Sequence, residues 1–262
     1  MPTYRHATIT GASSGIGRAF ALELPAATNL LLIGRDAGRL EKVAAETARP
    51  GRVVETMVLD LTLDADRDRL VARGEEFATD LLINNAGSGR FGDFLEGSPE
   101  AELETVLVNV VAVVDLTRRL LPGMLARAEA AGRRCGLIVV CSTAAFAPVP
   151  FLATYAATKV FDLHFTEALA EELRARPVDV VALCPGPTQT AFGARAGYRG
   201  GDLPGGADPR AVAADGLAAL GCETVRIAGR FSRLALRPVV GPRRLVTGAV
   251  GTAMRWFGGC ER

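Results

Sequence analysis

At 262 residues, with 49% hydrophobic and 23% charged side chains, the chain is long enough to bury one large core and lacks the composition of a disordered segment. A formal net charge of +1, with few aromatics and these not interleaved with arginine in a stacking pattern, offers no basic field for nucleic acid. The five cysteines, Cys135, Cys141, Cys184, Cys222 and Cys260, are scattered, odd in number and without a C-x-x-C spacing, which argues against a disulfide framework or a metal site and fits a reducing, cytoplasmic setting.

The start, Met1 to His6, leads straight into an apolar strand without a signal-peptide pattern, and no uncharged apolar run reaches membrane-spanning length. The first strand, Ala7 to Thr10, ends in Gly11-Ala-Ser13-Ser14-Gly15-Ile16-Gly17, and a helix follows through Leu24. Strand, glycine loop and helix in that order suit a pyrophosphate, because a side chain on the loop would block the amides at the helix N-terminus. An ordinary glycine-rich turn is the alternative, since G-x-x-x-G-x-G departs from the common G-x-G-x-x-G dinucleotide spacing.

Asn29 to Ile33 forms a fully apolar second strand that closes on Gly34-Arg35-Asp36. In dinucleotide-binding folds a carboxylate at this point binds the adenosine 2′-hydroxyl and an arginine accommodates a 2′-phosphate. Arg35 comes first after Gly34, so NADP(H) is favoured over NAD(H).

Val53 to Leu59 is a third strand, closing on Asp60-Leu61; Leu63 to Phe77 is a charged helix; Leu81 to Ile83 is a fourth strand, closing on Asn84-Asn85-Ala86-Gly87. Apolar strands alternating with helices predict a doubly wound parallel α/β sheet of the Rossmann type, covered on both faces. One long helical region is expected from Pro99 to Ala131, with Asn109 as the polar exception, bonded either to a neighbouring carbonyl or in a functional role. Gly136 to Cys141 is the fifth strand, and Ser142 stands at its C-terminal end, the edge where open parallel sheets bind ligands. The bland reading of Ser142 is a hydroxyl bonding its own turn.

Tyr155 and Lys159 follow on a predicted helix, where positions i and i+4 share a face. A nearby cation favours an ionised phenol. The chain has only two lysines, Lys42 and Lys159, and otherwise uses arginine. A surface pair is the alternative. Asp162, Glu167, Glu171 and Glu172 read as the solvated side of this helix, and His6 and His164 as structural.

Val178 to Leu183 is a sixth strand ending in Pro185, Gly186, Thr188 and Thr190, and Glu223 to Ala228 a seventh. The segment between them, 191–208, is glycine-rich and reads as a substrate loop, mobile without ligand. Asp208-Pro209 opens a further helix that stops at Gly221. The whole of 1–229 is expected to be one domain, with 230–262 an amphipathic extension packed on it that covers the substrate pocket, pairs subunits or lies on a membrane surface, in that order of preference.

Together these stretches resemble the short-chain dehydrogenase/reductase family over residues 7–190, with weaker agreement to 228, and within it bacterial oxidoreductases of unassigned substrate. The resemblance implies that Gly11, Ser13, Ser14, Gly15, Ile16 and Gly17 form the cofactor loop, with Asp60 and Leu61 at the adenine ring and Asn85, Ala86 and Gly87 in the central-strand motif. It implies Pro185, Gly186, Thr188 and Thr190 on the nicotinamide side, and Asn109, Ser142, Tyr155 and Lys159 as the catalytic set. Tyr155 is then the general acid or base, Ser142 stabilises the carbonyl oxygen, Lys159 holds the ribose and favours the phenolate, and Asn109 anchors a water linking Lys159 to solvent. Ser14 stands where NADP-preferring members often carry Arg or Lys, so Arg35 carries that preference alone. Phe146, Pro148, Phe151, Phe192 and Tyr198 should surround an apolar carbonyl or secondary alcohol, and a homodimer or homotetramer is implied. The rival reading is a non-catalytic NADP(H)-binding redox sensor or scaffold.

Overall fold

The computed structural model describes residues 4–198, 205–229, 243 and 245–247. Seven parallel strands form one sheet: β1 (His6–Thr10), β2 (Asn29–Gly34), β3 (Val54–Val58), β4 (Leu81–Asn84), β5 (Cys135–Val140), β6 (Val178–Cys184) and β7 (Val225–Ile227), in the order β3-β2-β1-β4-β5-β6-β7. The chain order reverses between β1 and β4, and ligands in open α/β sheets bind beyond the strand ends at such a point.

The strands are apolar on both sides because helices cover both sides. Leu30 and Leu32 of β2 face one core, with Phe20 of α1 (Gly15–Glu23), Leu40 of α2 (Ala37–Thr47) and Val212 of a C-terminal helix, Pro209–Ala219. Leu31 and Ile33, one residue out of step, face the other, with Leu70 of α3 (Asp64–Glu76) and Leu116. Burying each such side chain contributes about 1.5–3 kcal/mol. The edge strand β3 is the exception to the apolar reading, with Val53 and Val58 exposed beside it.

The long helix expected from Pro99 is broken. It runs as α4 (Pro99–Val106), one π-helical turn (Leu107–Val111) and α5 (Ala112–Ala130). The turn carries Asn109, whose side chain is drawn out of the helix to Ser88; π-helical turns of this kind re-aim a side chain. A 3₁₀ turn (Thr143–Phe146) then leads into α6 (Ala153–Glu172). The glycine-rich segment opens with a short helix, α7 (Phe192–Ala196), ended by Gly197 at φ +90°, and α8 is Pro209–Ala219. Residues 199–204 and most of 230–262 lie outside the described residues, and with them the expectations for loop mobility and for the tail. Among the described residues no helix is long and apolar enough to cross a membrane.

Candidate active site

At the end of β1 the backbone turns with Gly11 at φ +65° and Gly15 at φ +55°, where a Cβ is strained. A Cβ on Gly11 would stand 2.8 Å from the Ala86 Cα, and one on Gly17 2.3 Å from the Gly11 carbonyl oxygen. The loop is pinned from β4: Asn85 Nδ2 donates to Thr10 O (2.8 Å) and Gly11 O (3.2 Å), while the amides of Asn85 and Ala86 donate to Thr10 Oγ1. Ser14 sits at the N-cap of α1 without a side-chain capping bond, so its hydroxyl leaves the first-turn amides for another acceptor. Instead it accepts from Arg195 Nη1 of α7 at 3.4 Å.

At the end of β2, Asp36 accepts from the Arg39 amide at 2.9 Å and pairs with Arg39 Nε at 3.1 Å. Its carboxylate is thus committed to capping α2. Arg35 is held by Glu104 of α4 (Nη1 to Oε1, 2.8 Å), and both are substantially exposed. Asp60 Oδ1 accepts from the amide and hydroxyl of Thr62, which fixes the turn after β3.

The third group gathers at the ends of β5 and β6. Ser142 Oγ accepts from the Ala144 amide (3.1 Å), the bonding of a turn hydroxyl, and keeps its own proton to donate. On α6, the Lys159 ammonium lies 5.9 Å from the Tyr155 ring centre. It is buried and donates to Val140 O and to Asp162 Oδ2, each at 2.9 Å. Burial is the largest single influence and pushes the ammonium down, but the charge of Asp162, joined by those of Tyr155 and Cys141 and by the Asp162 hydrogen bond, holds it above the ordinary lysine range. The Asn109 side chain is fully buried: Oδ1 accepts from the Ser88 amide, and Nδ2 donates to Ser88 O and to Thr158 Oγ1, each at 2.9 Å. Thr158 in turn donates to the Tyr155 carbonyl at 2.7 Å. Both readings of Asn109 had this much in common, a buried amide with its bonds met, and here they tie the β4 loop to the turn of α6 that carries Tyr155.

The three groups share one cavity of about 590 Å³, lined by every cofactor and catalytic residue named from the sequence except Gly17 and Asn109, which stand behind its wall. Pro185, Gly186, Thr188 and Thr190 close it from β6; Thr188 donates to Gly186 O, and Thr190 accepts from the Phe192 amide at the start of α7. The volume, the glycine cradle and the amides of α1 fit an extended dinucleotide with room beyond its reactive end.

Five expectations are corrected. Asp162 is not on a solvated face; it is fully buried against Lys159. Glu167 is buried as well and pairs with Arg243, whose Nε lies 3.1 Å from each of its carboxylate oxygens. Of the aromatic residues expected around a substrate, Phe192 and Tyr198 line the cavity, with Phe192 5.2 Å from the Tyr155 ring. Phe146 instead packs against the core of β5 and β6, Phe151 lies in a separate recess beside Arg90, and Pro148 is exposed. Val149 and Leu152 take their places in the wall. Arg195 and Asp162 were missed, the first because its loop has no sequence pattern, the second because its charge reads as a solvated face although the i, i+3 spacing sets it beside Lys159. Among the described residues no group of His, Cys, Asp and Glu could hold a metal ion.

A family model described as short chain dehydrogenase matches residues 5–198. Very-long-chain 3-oxoacyl-CoA reductase of Pyrenophora tritici-repentis is 34% identical over 182 residues, 66% of this chain and 52% of its own length. Bovine dehydrogenase/reductase SDR family member 7B is 32% identical over 233 residues, 81% of this chain and 69% of its own. The chain thus spans about half the length of the first curated relatives it matches. Among solved structures, a short-chain dehydrogenase from Sphingobium yanoikuyae in complex with NADPH superposes with a TM-score of 0.76 at 29% identity, covering 98% of this chain and 96% of that one. With the family model matched over most of its length and the seven-stranded parallel sheet in place, the chain belongs to the short-chain dehydrogenase family.

Proposed function

We propose that the protein is an NADP(H)-dependent oxidoreductase that interconverts a carbonyl and a secondary alcohol on an apolar substrate, with Tyr155 as general acid or base. The observation that carries this reading is that Ser142, Tyr155 and Lys159 open onto the same cavity as the glycine loop. A bound nicotinamide supplies or takes up hydride; the side chains handle the proton. Tyr155 gives its phenolic proton to the carbonyl oxygen, or removes it in the reverse direction, a transfer worth roughly 10²–10⁴ in rate. Ser142 donates a hydrogen bond to the same oxygen, its Oγ being oriented by the Ala144 amide. Lys159 holds the ribose hydroxyls, and Asn109 positions the turn of α6 through Thr158 and anchors the water route to Lys159.

The preference for NADP(H) is supported by three arginines, Arg35, Arg39 and Arg195, on the cavity wall, and by an Asp36 carboxylate already engaged at the start of α2. Arg195 stands beside Ser14, where a basic residue was expected and absent. Val149, Leu152, Phe192 and Tyr198 support an apolar substrate. Residues 1–229 as one catalytic domain with 230–262 packed on it, a cytoplasmic location and a homodimer or homotetramer complete the reading.

The test is NADPH oxidation across a panel of ketones, 3-oxoacyl thioesters and steroids, the thioesters being suggested by the relatives named as 3-oxoacyl-CoA reductases. Tyr155→Phe should bind NADPH as the wild type does and lose turnover by at least about 10²-fold; near wild-type turnover would sink the assignment. Binding without oxidation across the panel favours the redox sensor. Arg35→Ala should weaken NADPH about tenfold and leave NADH nearly unchanged in titrations of both.

A further inference from the structure

One buried charge near the cavity has no part in that scheme. Asp162 lies one helical turn beyond Lys159, its side chain wholly inaccessible, with Oδ2 2.9 Å from the ammonium. Its other oxygen, Oδ1, has no hydrogen-bond partner among the described residues. Packing does not call for such a residue: a buried ion pair is often no better than apolar side chains of the same volume, and an unsatisfied oxygen adds a cost. The ammonium has three N–H groups. Val140 O and Asp162 Oδ2 take two, which leaves one for the cavity.

We propose that Asp162 is a positioning residue for Lys159, fixing the ammonium so that a single N–H faces the cavity and offsetting its charge so that the Tyr155 phenol keeps its proton to higher pH. This rests on the assignment of Tyr155 as the proton donor, and it sets the site for reduction, in which the phenol must begin protonated. The other titratable groups facing the pair are few. Tyr155 comes from the same helix, and the buried Cys141 thiol, beside Cys184, from the ends of β5 and β6. Burial pushes that thiol well up, so it stays neutral. The acids of α4, which packs on α6, turn away: Glu102 to Arg90, Glu104 to Arg35, and Glu100 to solvent. The π-helical turn contributes the neutral Asn109. Burial raises the Asp162 carboxyl above its usual range, while the charge and hydrogen bond of Lys159, 2.9 Å away, pull it back.

Only three tyrosines, Tyr4, Tyr155 and Tyr198, are present, and Tyr198 feels the Tyr155 charge, so the titrations are made in a Tyr198→Phe background, where subtracting the tyrosinate absorbance of Tyr155→Phe from that of the parent isolates one phenol. The same subtraction is made in an Asp162→Asn background. With the carboxylate gone, the phenol should ionise about one pH unit lower, the size expected for removing a unit charge about 10 Å away at an effective dielectric of about 20. The rising limb of alcohol oxidation against pH should move the same way. Superimposable titrations, or a move to higher pH, overturn the proposal. If Asp162→Asn does not fold, Asp162→Ser carries the same test. The titration needs no turnover: a protein inactive on the whole panel would sink the assigned activity and leave this result standing, whereas coincident curves in an active protein sink Asp162 alone.

Discussion

The two edges of the sheet hold the same three chemistries, a phenol, an aspartate and a cation, wired differently. At the N-terminal edge the Tyr4 hydroxyl donates to Asp179 Oδ2 at 3.0 Å, and Arg134 Nε donates to Asp179 Oδ1 at 2.7 Å. Both carboxylate oxygens are met and the cluster is closed. At the C-terminal edge Lys159 stands between Tyr155 and Asp162, one carboxylate oxygen has no partner among the described residues, and the phenol lines a cavity. A closed cluster holds strands together; an open one keeps donors for something else. Substitutions that mimic each other at the two edges should therefore split cleanly between stability and turnover.

The largest effect is expected at Lys159→Arg. A planar guanidinium cannot take the place of a compact ammonium held between Val140 O and Asp162 Oδ2, so turnover should fall by about 10²-fold or more while the folded protein persists. Retained turnover in a steady-state assay would break the contrast, because any cation would then serve. Asp179→Ala is the counterpart below. Asp179 is buried, and its removal leaves the Tyr4 hydroxyl unmet beside Arg134, a loss of about 2–3 kcal/mol in denaturant unfolding. Turnover per folded molecule should not change.

How far the sequence reaches differs between these regions for a physical reason. The glycine loop is legible because steric exclusion writes itself as glycine: no side chain fits at Gly11 or Gly17. Tyr155 and Lys159 are legible because helical spacing alone puts them on one face. Asp162 is not, because α6 is packed by β5 and β6 on one side and by α4 and the π-helical turn on another, so little of its circumference is left to solvent. The charge of Asp162 reads as solvent-facing, while its spacing of three from Lys159 and seven from Tyr155 keeps it on their buried face. The break at Asn109 was hidden for a related reason, since Leu107-Val-Asn-Val-Val111 reads as continuous helix until Ser88 is known to sit opposite. Phe146 and Phe151 were misplaced because nothing in a proline-punctuated loop says which way it runs.

The finest distinction is in alkaline stability. Burial, and then the neighbouring Asp179 charge and hydrogen bond, hold the Tyr4 phenol far above its ordinary range, so it remains protonated in the fold when the unfolded chain ionises. A group raised in this way stabilises fully below its unfolded value, about pH 10, and above it stability falls by about 1.4 kcal/mol for each pH unit. Tyr4→Phe has no proton to lose. Its stability should start about 1 kcal/mol lower at neutral pH, for the lost hydrogen bond, and then decline less steeply than the wild type above pH ~10, so that the two curves converge. Urea unfolding at a series of alkaline pH values reads this directly. Equal alkaline slopes in the wild type and Tyr4→Phe would break the reading of the lower cluster as closed.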